Sequence, residues 1–203
     1  MRFSIIIPAH NAAGYIRKAL DSVACQTFKD YELIVVCDAC DDNTAEIARE
    51  YTDKVIEEAY HSDGPSRQRG LDAAAGDWIL FMDDDDWWLH EYVLVQLDEE
   101  IGDDDLLDVL CFGFIWKHRG YTSPRRPGGN VWPAVWNKAY RRTSLAGVRF
   151  VNTHPADLPW TIELFQKDLF VRKWDMPLYY YNYWRPGSLS VTTNQPDFRF
   201  EKD

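Results

Sequence analysis

The sequence predicts an α/β fold: a mostly parallel, Rossmann-like sheet flanked by helices. Short apolar segments alternate with amphipathic ones through the first half of the 203-residue chain, as expected for parallel strands that share one carboxyl edge. The run Asp83 to Asp86 follows directly on the apolar segment 78–82. Because ligands of open α/β sheets bind outside the carboxyl ends of the strands, this run predicts a functional site at that edge.

The first half is predicted to contain four strands and three helices. The strands are expected at residues 3–8, 31–37, 54–57 and 78–82, where β-branched and aromatic residues are concentrated. The helices are expected at residues 13–26, 43–51 and 66–75. Asp41 and Asp42 are cap candidates for the second helix.

The second half is less regular. It is predicted to contain a strand at 109–118, a loop rich in Pro, Gly and Arg at 120–130, an extended segment at 131–140, a helix at 157–166 and an aromatic strand at 178–184. We expect a single domain over residues 1–194, with halves 1–100 and 101–194, followed by a polar tail at 195–203.

The composition limits the classes of protein to consider. With 46% hydrophobic residues the chain can bury one substantial core, and a formal net charge of −11 argues against nucleic acid as a partner. Four cysteines without a framework spacing suit a reducing compartment. No segment approaches the roughly 18 apolar residues of a membrane span. These features predict a cytoplasmic protein without a transmembrane segment. Peripheral membrane contact stays compatible with the sequence, and the oligomeric state is not indicated.

The acidic run itself suggests metal chemistry. Clustered carboxylate oxygens are the ligands that Mg²⁺ and Mn²⁺ prefer, although most charge runs are simply solvated. A phosphatase that forms an aspartyl-phosphate needs Thr or Val four residues after the first aspartate, and Trp87 stands there.

Other motifs leave alternatives open. Asp38 follows the second strand, where it is either a turn residue or a ligand for a base or ribose. Cys37 and Cys40 form a C-x-x-C sequence, which suits a redox pair or two small, partly buried thiols. The glycine-rich loop of dinucleotide-binding folds does not occur after the first strand, and a Walker loop is also lacking.

The chain carries an ordered series of short motifs. Residues 4–11 are Ser-Ile-Ile-Ile-Pro-Ala-His-Asn, residues 31–36 are Tyr-Glu-Leu-Ile-Val-Val, residues 76–79 are Gly-Asp-Trp-Ile, and residues 136–141 are Trp-Asn-Lys-Ala-Tyr-Arg. In this order and spacing the motifs resemble those of the family 2 glycosyltransferases over about residues 3–191. The resemblance implies a GT-A fold and transfer of a sugar from a nucleotide-diphosphate sugar.

The resemblance also implies roles in donor binding. Asp83 and Asp85 match the outer residues of the Asp-x-Asp metal motif, and Asp85 is the expected direct ligand of Mn²⁺ or Mg²⁺. Asp84 fills the middle position of the motif, and Asp86 is expected near the sugar. The other positions expected to contact the donor are Pro8, His10, Asn11, Asp38, Arg67 and Arg185. A UDP-sugar is the expected donor, although Cys-Asp-Ala-Cys at 37–40 replaces the family's Asp-Asp-Gly-Ser.

The general base of the family lies in a Glu-Asp pair at the start of a helix. At the matching place Ala156 replaces the glutamate and Asp157 keeps the aspartate. An aspartate here is often an N-cap, and His154 is a rival base because the ordinary pKa of histidine suits proton transfer near neutrality. With Asp157 as base, the resemblance implies a metal-assisted single displacement that inverts the anomeric centre, with Lys138 or Arg185 near the leaving group.

The acceptor is expected to be a glycan, a lipid-linked sugar or a polysaccharide precursor. The expected acceptor contacts are Trp136, Lys138, His154 and Trp160, although the tryptophans could equally pack together. A sugar-nucleotide pyrophosphorylase would need a glycine-rich loop near the N-terminus, which residues 10–14 do not supply. A catalytically degenerate nucleotide-sugar or glycan-binding domain stays open because Cys37, Ala39 and Ala156 depart from the family pattern.

Overall fold

The structure, a computed structural model, describes residues 1–124 and 132–183. The strands in these ranges are Phe3–Ala9 (β1), Tyr31–Asp38 (β2), Val55–Glu58 (β3), Trp78–Phe81 (β4), Trp87–Trp88 (β5), Val109–Trp116 (β6), Gly120–Thr122 (β7), Lys138–Arg141 (β8) and Val171–Tyr181 (β9). The α-helices are Ile16–Ala24 (α1), Thr44–Arg49 (α2), Asp63–Ala73 (α3), Val93–Ile101 (α4) and Asp157–Leu164 (α5). A 3₁₀ turn follows β8 at Arg142–Leu145.

Across the described residues the strands form one sheet in the order β3-β2-β1-β4-β8-β6-β9-β5, with β7 paired to β6. Strands β3, β2, β1 and β4 pair in parallel. Strand β8 is antiparallel to both β4 and β6, so that β6 and its parallel neighbour β9 run in the same sense as the first four strands. The predicted α/β fold is therefore confirmed, but the sheet is mixed, because β5 and β7 also pair antiparallel with their neighbours. The carboxyl ends of β1, β2 and β4 lie at one edge.

The core lies on both faces of the sheet. Along β1, Ile5 and Ile7 pack into a cluster with helices α1, α2 and α4, while Ile6 packs into a second cluster with α3 and α5. The alternation follows from the two-residue period of a strand. Helix α3 approaches β1 closely at Gly70, where an added Cβ would lie 2.3 Å from Ile6 Cγ2. Across the described residues, no helix is long and apolar enough to cross a membrane.

The buried Glu32 fastens three segments at the opposite edge of the sheet. Its Oε1 accepts hydrogen bonds from the Ser4 hydroxyl at 2.5 Å and from the Ala75 amide at 2.7 Å, and its Oε2 pairs with Lys54. Burial opposes ionisation of this carboxyl, but the hydrogen bonds outweigh it and lower the pKa of Glu32 below its ordinary value.

Two helix boundaries differ from the prediction for an identifiable reason. Helix α1 begins at Ile16 and not at residue 13, because the Ala12 amide donates to the Thr44 hydroxyl and the Ala13 amide to Asp42. Helix α3 begins at Asp63 and not at residue 66. In both places a side chain distant in sequence binds amides at or just before the helix start.

The second half departs further from the prediction. Of the extended segment predicted at 131–140, the described part is strand only from Lys138 onward. The aromatic strand begins at Val171, seven residues before the predicted start, and passes through an irregularity opposite Gly113. Helix α4 and strands β5 and β7 were not predicted, and β7 occupies the first three residues of the predicted 120–130 loop. The predicted residue 184 of the last strand, much of the 120–130 loop and the 195–203 tail lie outside the described residues.

Candidate active site

The carboxyl ends of β1, β2 and β4 are joined by hydrogen bonds. The backbone N–H of His10 donates to Asp84 Oδ2 at 3.3 Å, and the His10 ring Nδ1–H donates to the Asp38 carbonyl at 2.6 Å. Asn11 takes a positive φ of 47°, and its Oδ1 accepts the Asp41 amide at 2.8 Å. Pro8 is half-buried just before this turn. The residues predicted to bind the donor therefore do meet at one edge, as strand order requires.

Asp38 is bound by the protein itself in this structure, and its contact with the nucleotide stays a prediction. Its Oδ1 accepts the amides of Tyr60 and His61 at 2.6 and 2.8 Å, and its Oδ2 accepts the Ser62 amide at 2.7 Å and the Ser66 hydroxyl at 3.0 Å. The side chain is buried. Asp38 thus holds the turn that leads into α3.

Arg67 is the centre of the site. Its side chain is 6% exposed, and its Nη1 lies 2.5 Å from Asp63 Oδ2 and 3.2 Å from Asp157 Oδ1, while Nη2 lies 2.8 Å from Asp83 Oδ1. Burial disfavours the charge, but the carboxylates together raise the pKa of Arg67. One guanidinium therefore connects the acidic run after β4 to the first residue of α5.

Asp157 has the electrostatic setting of a proton acceptor. Its side chain is 19% exposed, and Oδ2 accepts the Val135 amide at 3.2 Å. Among the described residues no donor hydrogen-bonds to Oδ1, although Arg67 lies nearby. Burial raises the pKa of Asp157 above its ordinary value, with Asp83 and Asp63 adding to the effect and Arg67 opposing it. A carboxylate with a raised pKa is a stronger base than one in water.

The rival base, His154, lies beside the same cluster. Its Nδ1 is 3.9 Å from Asp63 Oδ1, and its side chain is 36% exposed. This histidine lies closer to water than Asp157, and it faces Asp63 at the edge of the Arg67 cluster.

The acidic run alternates between buried and partly exposed side chains. Asp84 and Asp86 are buried, whereas Asp83 and Asp85 are half-buried. Asp86 Oδ2 accepts the Tyr179 hydroxyl and its Oδ1 the Asn182 amide, both at 2.7 Å. Burial and the neighbouring Asp85 raise the pKa of Asp86 well above its ordinary value.

Two residues of the run connect strands of the sheet in this structure, and their donor contacts stay predictions. Asp86 is fully buried and binds Tyr179 of β9. Asp84, predicted as a donor-binding middle residue, accepts the His10 amide and so links β4 to β1.

The possible metal ligands at this edge fit a hard divalent cation only in part. Among the described residues, no group of three or more His, Cys, Asp or Glu side chains is arranged to hold a metal ion. Asp83 and Asp85 do offer oxygen on half-buried side chains. Mg²⁺ is commonly bound through one or two carboxylates with substrate phosphates completing the shell. The residues thus fit a metal that binds together with a diphosphate.

Three predicted acceptor contacts are core residues. Lys138 is fully buried, and its ammonium donates to the carbonyls of Trp132 and Ala134, each at 2.6 Å, and to Asn137 Oδ1 at 2.7 Å. Burial lowers the pKa of Lys138 to about 8. Lys138 therefore stabilises the fold by binding the segment that precedes it.

Trp136 and Trp160 are also buried. Trp136 stacks on Tyr179 with ring centroids 4.8 Å apart, and Trp160 stacks on Phe150 at 4.5 Å. Both tryptophans pack between sheet and neighbouring elements, so neither forms a sugar platform. The remaining prediction, Arg185, lies outside the described residues.

Sequence reasoning missed Asp63 and Tyr179. Asp63 lies four residues before Arg67, a spacing that pairs side chains on a helix, but the predicted helix began after Asp63. Tyr179 donates to Asp86, and its hydroxyl oxygen accepts the Asp83 amide at 3.1 Å. Only the pairing of β9 with β5 and β6 brings this tyrosine to the acidic run.

Solved glycosyltransferase structures share this fold. The structure of Staphylococcus aureus TarS 1–349 in complex with UDP-GlcNAc matches with a TM-score of 0.79 and 25% sequence identity over 95% of this chain and 61% of that chain. Glucosyl-3-phosphoglycerate synthase from Mycobacterium tuberculosis, in complex with Mg²⁺ and UDP, matches with a TM-score of 0.70 and 18% identity over 91% and 72% of the two chains. These similarities confirm the GT-A fold.

Sequence comparison gives the family. The model of glycosyl transferase family 2 matches residues 4–167, and the chain belongs to this family. The uncharacterized glycosyltransferase EpsJ of Bacillus subtilis (strain 168) is 28% identical over 227 aligned positions, which cover 95% of this chain and 64% of EpsJ. The chain spans less than two thirds of the length of EpsJ and of the TarS fragment.

Proposed function

We propose that this domain transfers a sugar from a nucleotide-diphosphate sugar to an acceptor hydroxyl, with Asp157 as general base. The observation that carries the proposal is the Arg67 cluster, in which one buried guanidinium contacts both Asp83 after β4 and Asp157 at the start of α5. It brings a donor-side carboxylate and a candidate base together at the edge where open α/β sheets bind ligands.

The proposed chemistry is a single displacement. Asp157 takes the proton of the acceptor hydroxyl as its oxygen attacks the anomeric carbon, and the bond from that carbon to the diphosphate breaks on the opposite face. The configuration at the anomeric carbon is inverted. Arg67 keeps the Asp157 carboxylate in place, while burial raises the pKa of Asp157 and so makes it a stronger base.

A divalent cation belongs to this proposal. Asp85 and Asp83 would hold Mn²⁺ or Mg²⁺ together with the donor diphosphate, and such a cation offsets the negative charge that develops on the leaving group. Support comes from the synthase of Mycobacterium tuberculosis, which shares the fold and whose solved structure is a complex with Mg²⁺ and UDP.

The proposed donor is a UDP-sugar, because the TarS fragment, at 25% identity, is a complex with UDP-GlcNAc. Pro8, His10 and Asn11 stay the proposed donor contacts, since they border the strand-end edge and His10 and Asn11 are exposed. The proposed acceptor is a hydroxyl of a glycan, a lipid-linked sugar or a polysaccharide precursor.

A binding screen followed by a turnover assay tests the proposal. Thermal unfolding is measured with UDP, GDP and their sugars, each with Mn²⁺ and with chelator. At a concentration 100 times the Kd, a ligand stabilises by about 2.7 kcal/mol, which corresponds to a rise in Tm of about 5–10 °C. We expect this rise for UDP and a UDP-sugar with metal. If no nucleotide tested raises the Tm, the proposed donor binding is contradicted.

Substitution of Asp157 separates a transferase from a binding domain. Release of UDP from the UDP-sugar is followed with water or a test acceptor, in Asp157→Asn and in the matched control Glu163→Gln, which alters an exposed residue of the same helix. We expect Asp157→Asn to lose about 10²–10⁴-fold in turnover with an unchanged UDP thermal shift, and Glu163→Gln to stay within twofold. Full turnover in Asp157→Asn would refute the base assignment. Binding without turnover in the unaltered domain would favour a degenerate binding domain.

A further inference from the structure

A pair of thiols lies directly beside the proposed donor edge. Cys37 is the penultimate residue of β2 and is 1% exposed, whereas Cys40 is half-buried in the loop that follows. Ala39, between them, takes a positive φ of 49°, which bends the chain. Cys40 Sγ lies 3.5 Å from the carbonyl oxygen of Ala9, and Ala9 is the residue of β1 that pairs with Cys37, so the two cysteines lie side by side at the strand end. The four cysteines of the chain all fall in described residues, and all are free thiols.

The two thiols have unequal reactivity. The hydrogen bond from Cys37 lowers the pKa of Cys40 to about 7, with the Asn11 amide and the Thr44 hydroxyl assisting against burial. The same hydrogen bond and burial raise the pKa of Cys37. Cys40 therefore carries a larger thiolate fraction at neutral pH than an ordinary cysteine, and the thiolate is the reactive form of cysteine.

We propose that Cys37 and Cys40 form a redox-active dithiol that hydroperoxides convert to a disulfide. The Cys40 thiolate attacks the terminal peroxide oxygen, the O–O bond breaks, and Cys40 becomes a sulfenic acid as water or an alcohol leaves. The Cys37 sulfur then attacks the Cys40 sulfur, the S–O bond breaks, and a water leaves. The two thiols lose two electrons and two protons, and the peroxide gains both. A thiol reductant restores the pair.

The position of the pair gives the disulfide a local consequence. Cys40 Sγ, as a thiol, donates to the Ala9 carbonyl at 3.5 Å, and oxidation removes that proton. Asp38 lies between the two cysteines and accepts the His10 ring N–H through its carbonyl. The disulfide therefore closes a small covalent ring that includes Asp38 and Ala39, at the point where β1 and β2 end.

Cys25 provides an internal control, because it separates exposure from reactivity. Cys25 is exposed, but partial burial of its thiol and the neighbouring Glu91 raise its pKa above 9.0. Exposure alone predicts that Cys25 reacts first, whereas the proposal predicts Cys40. The larger thiolate fraction of Cys40 outweighs its lower intrinsic nucleophilicity, so Cys40 is expected to react faster than Cys25 at pH 7.

The test uses the whole chain, in its natural sequence and as the variants Cys25→Ser, Cys37→Ser and Cys40→Ser, after far-UV circular dichroism has confirmed folding. Each protein is treated with hydrogen peroxide, quenched with N-ethylmaleimide in denaturant so that buried thiols also react, and mapped by peptide mass spectrometry. We expect a Cys37–Cys40 disulfide in the natural sequence and in Cys25→Ser, reversed by dithiothreitol. In Cys37→Ser we expect a sulfenic acid at Cys40 that dimedone traps.

Two outcomes would overturn the proposal. One is that both Cys37 and Cys40 still react with N-ethylmaleimide after peroxide treatment has oxidised Cys25. The other is that limiting iodoacetamide at pH 7 labels Cys25 faster than Cys40 in the natural sequence, a measurement that requires no variant to fold. Neither outcome depends on glycosyl transfer, so the proposed function and the dithiol can fail separately.

Discussion

Substitution of Arg67 by methionine tests whether the buried guanidinium stabilises the site. Arg67 has carboxylate oxygens of Asp63, Asp83 and Asp157 within 2.5, 2.8 and 3.2 Å, and its side chain is only 6% exposed. Methionine has a similar length but no charge, so the substitution leaves mutually repelling carboxylates in a largely buried place.

The expected loss follows from the known cost of breaking a buried ion pair. Removal of one partner costs about 3–5 kcal/mol, because the other charge stays buried without compensation. In a chain of this size 1 kcal/mol corresponds to about 2–4 °C, so we expect Tm to fall by about 10 °C. Without Arg67 the folded-state pKa of Asp157 rises further above its ordinary value of 3.8. The folded variant then binds more protons than its unfolded form, so the deficit is complete at neutral pH and shrinks as pH falls towards 4.

Urea unfolding followed by circular dichroism measures the loss of free energy of unfolding at pH 7. The same measurement at pH 4.5 to 5, where the fold persists, gives its pH dependence. The matched control is Arg69→Met, two residues further along the same helix, where Arg69 Nε lies 3.0 Å from Glu58 Oε1 and the side chain is 40% exposed. An exposed pair of this kind contributes about 0–1 kcal/mol. If Arg67→Met loses no more stability than Arg69→Met, or if its deficit grows on acidification, the reasoning about the cluster is wrong.

Two further predictions concern the sheet. Glu32→Gln should lower the free energy of unfolding by about 1.5–3 kcal/mol at pH 7, because hydrogen bonds to a charged group are lost. Since the folded-state pKa of Glu32 is lowered from 4.5, this contribution is present above pH 4.5 and is lost as pH falls through the lowered value. A difference between the two proteins that stays constant down to acid pH in unfolding curves would contradict the prediction. Gly70→Ala should lower the free energy of unfolding by about 1–3 kcal/mol through overpacking, because the added Cβ would lie 2.3 Å from Ile6 Cγ2. The control is Gly14→Ala, since a Cβ at Gly14 meets no heavy atom of the described residues within 4 Å. Equal Tm values for the two variants would contradict the prediction.

Local pattern was sufficient for the elements whose residues bury an entire face. The strands around Ile6 and Leu80 and the acidic run after β4 follow from hydrophobic period and from parallel connection alone. The starts of helices α1 and α3 did not follow from local pattern, because Thr44 and Asp38 bind amides at or near these starts from 22 or more residues away in sequence. Such long-range capping leaves no local signal.

The sequence by itself determined the fold class, the family and the edge of the sheet at which the acidic residues gather, since these depend on periodicity, motif order and strand direction. Only the tertiary structure decided which of those residues are available. It buried Asp86 against Tyr179 and committed Asp38 to backbone amides. It also joined Asp83 to Asp157 through Arg67. The availability of a carboxylate depends on which donors fold against it, and those donors come from distant segments of the chain.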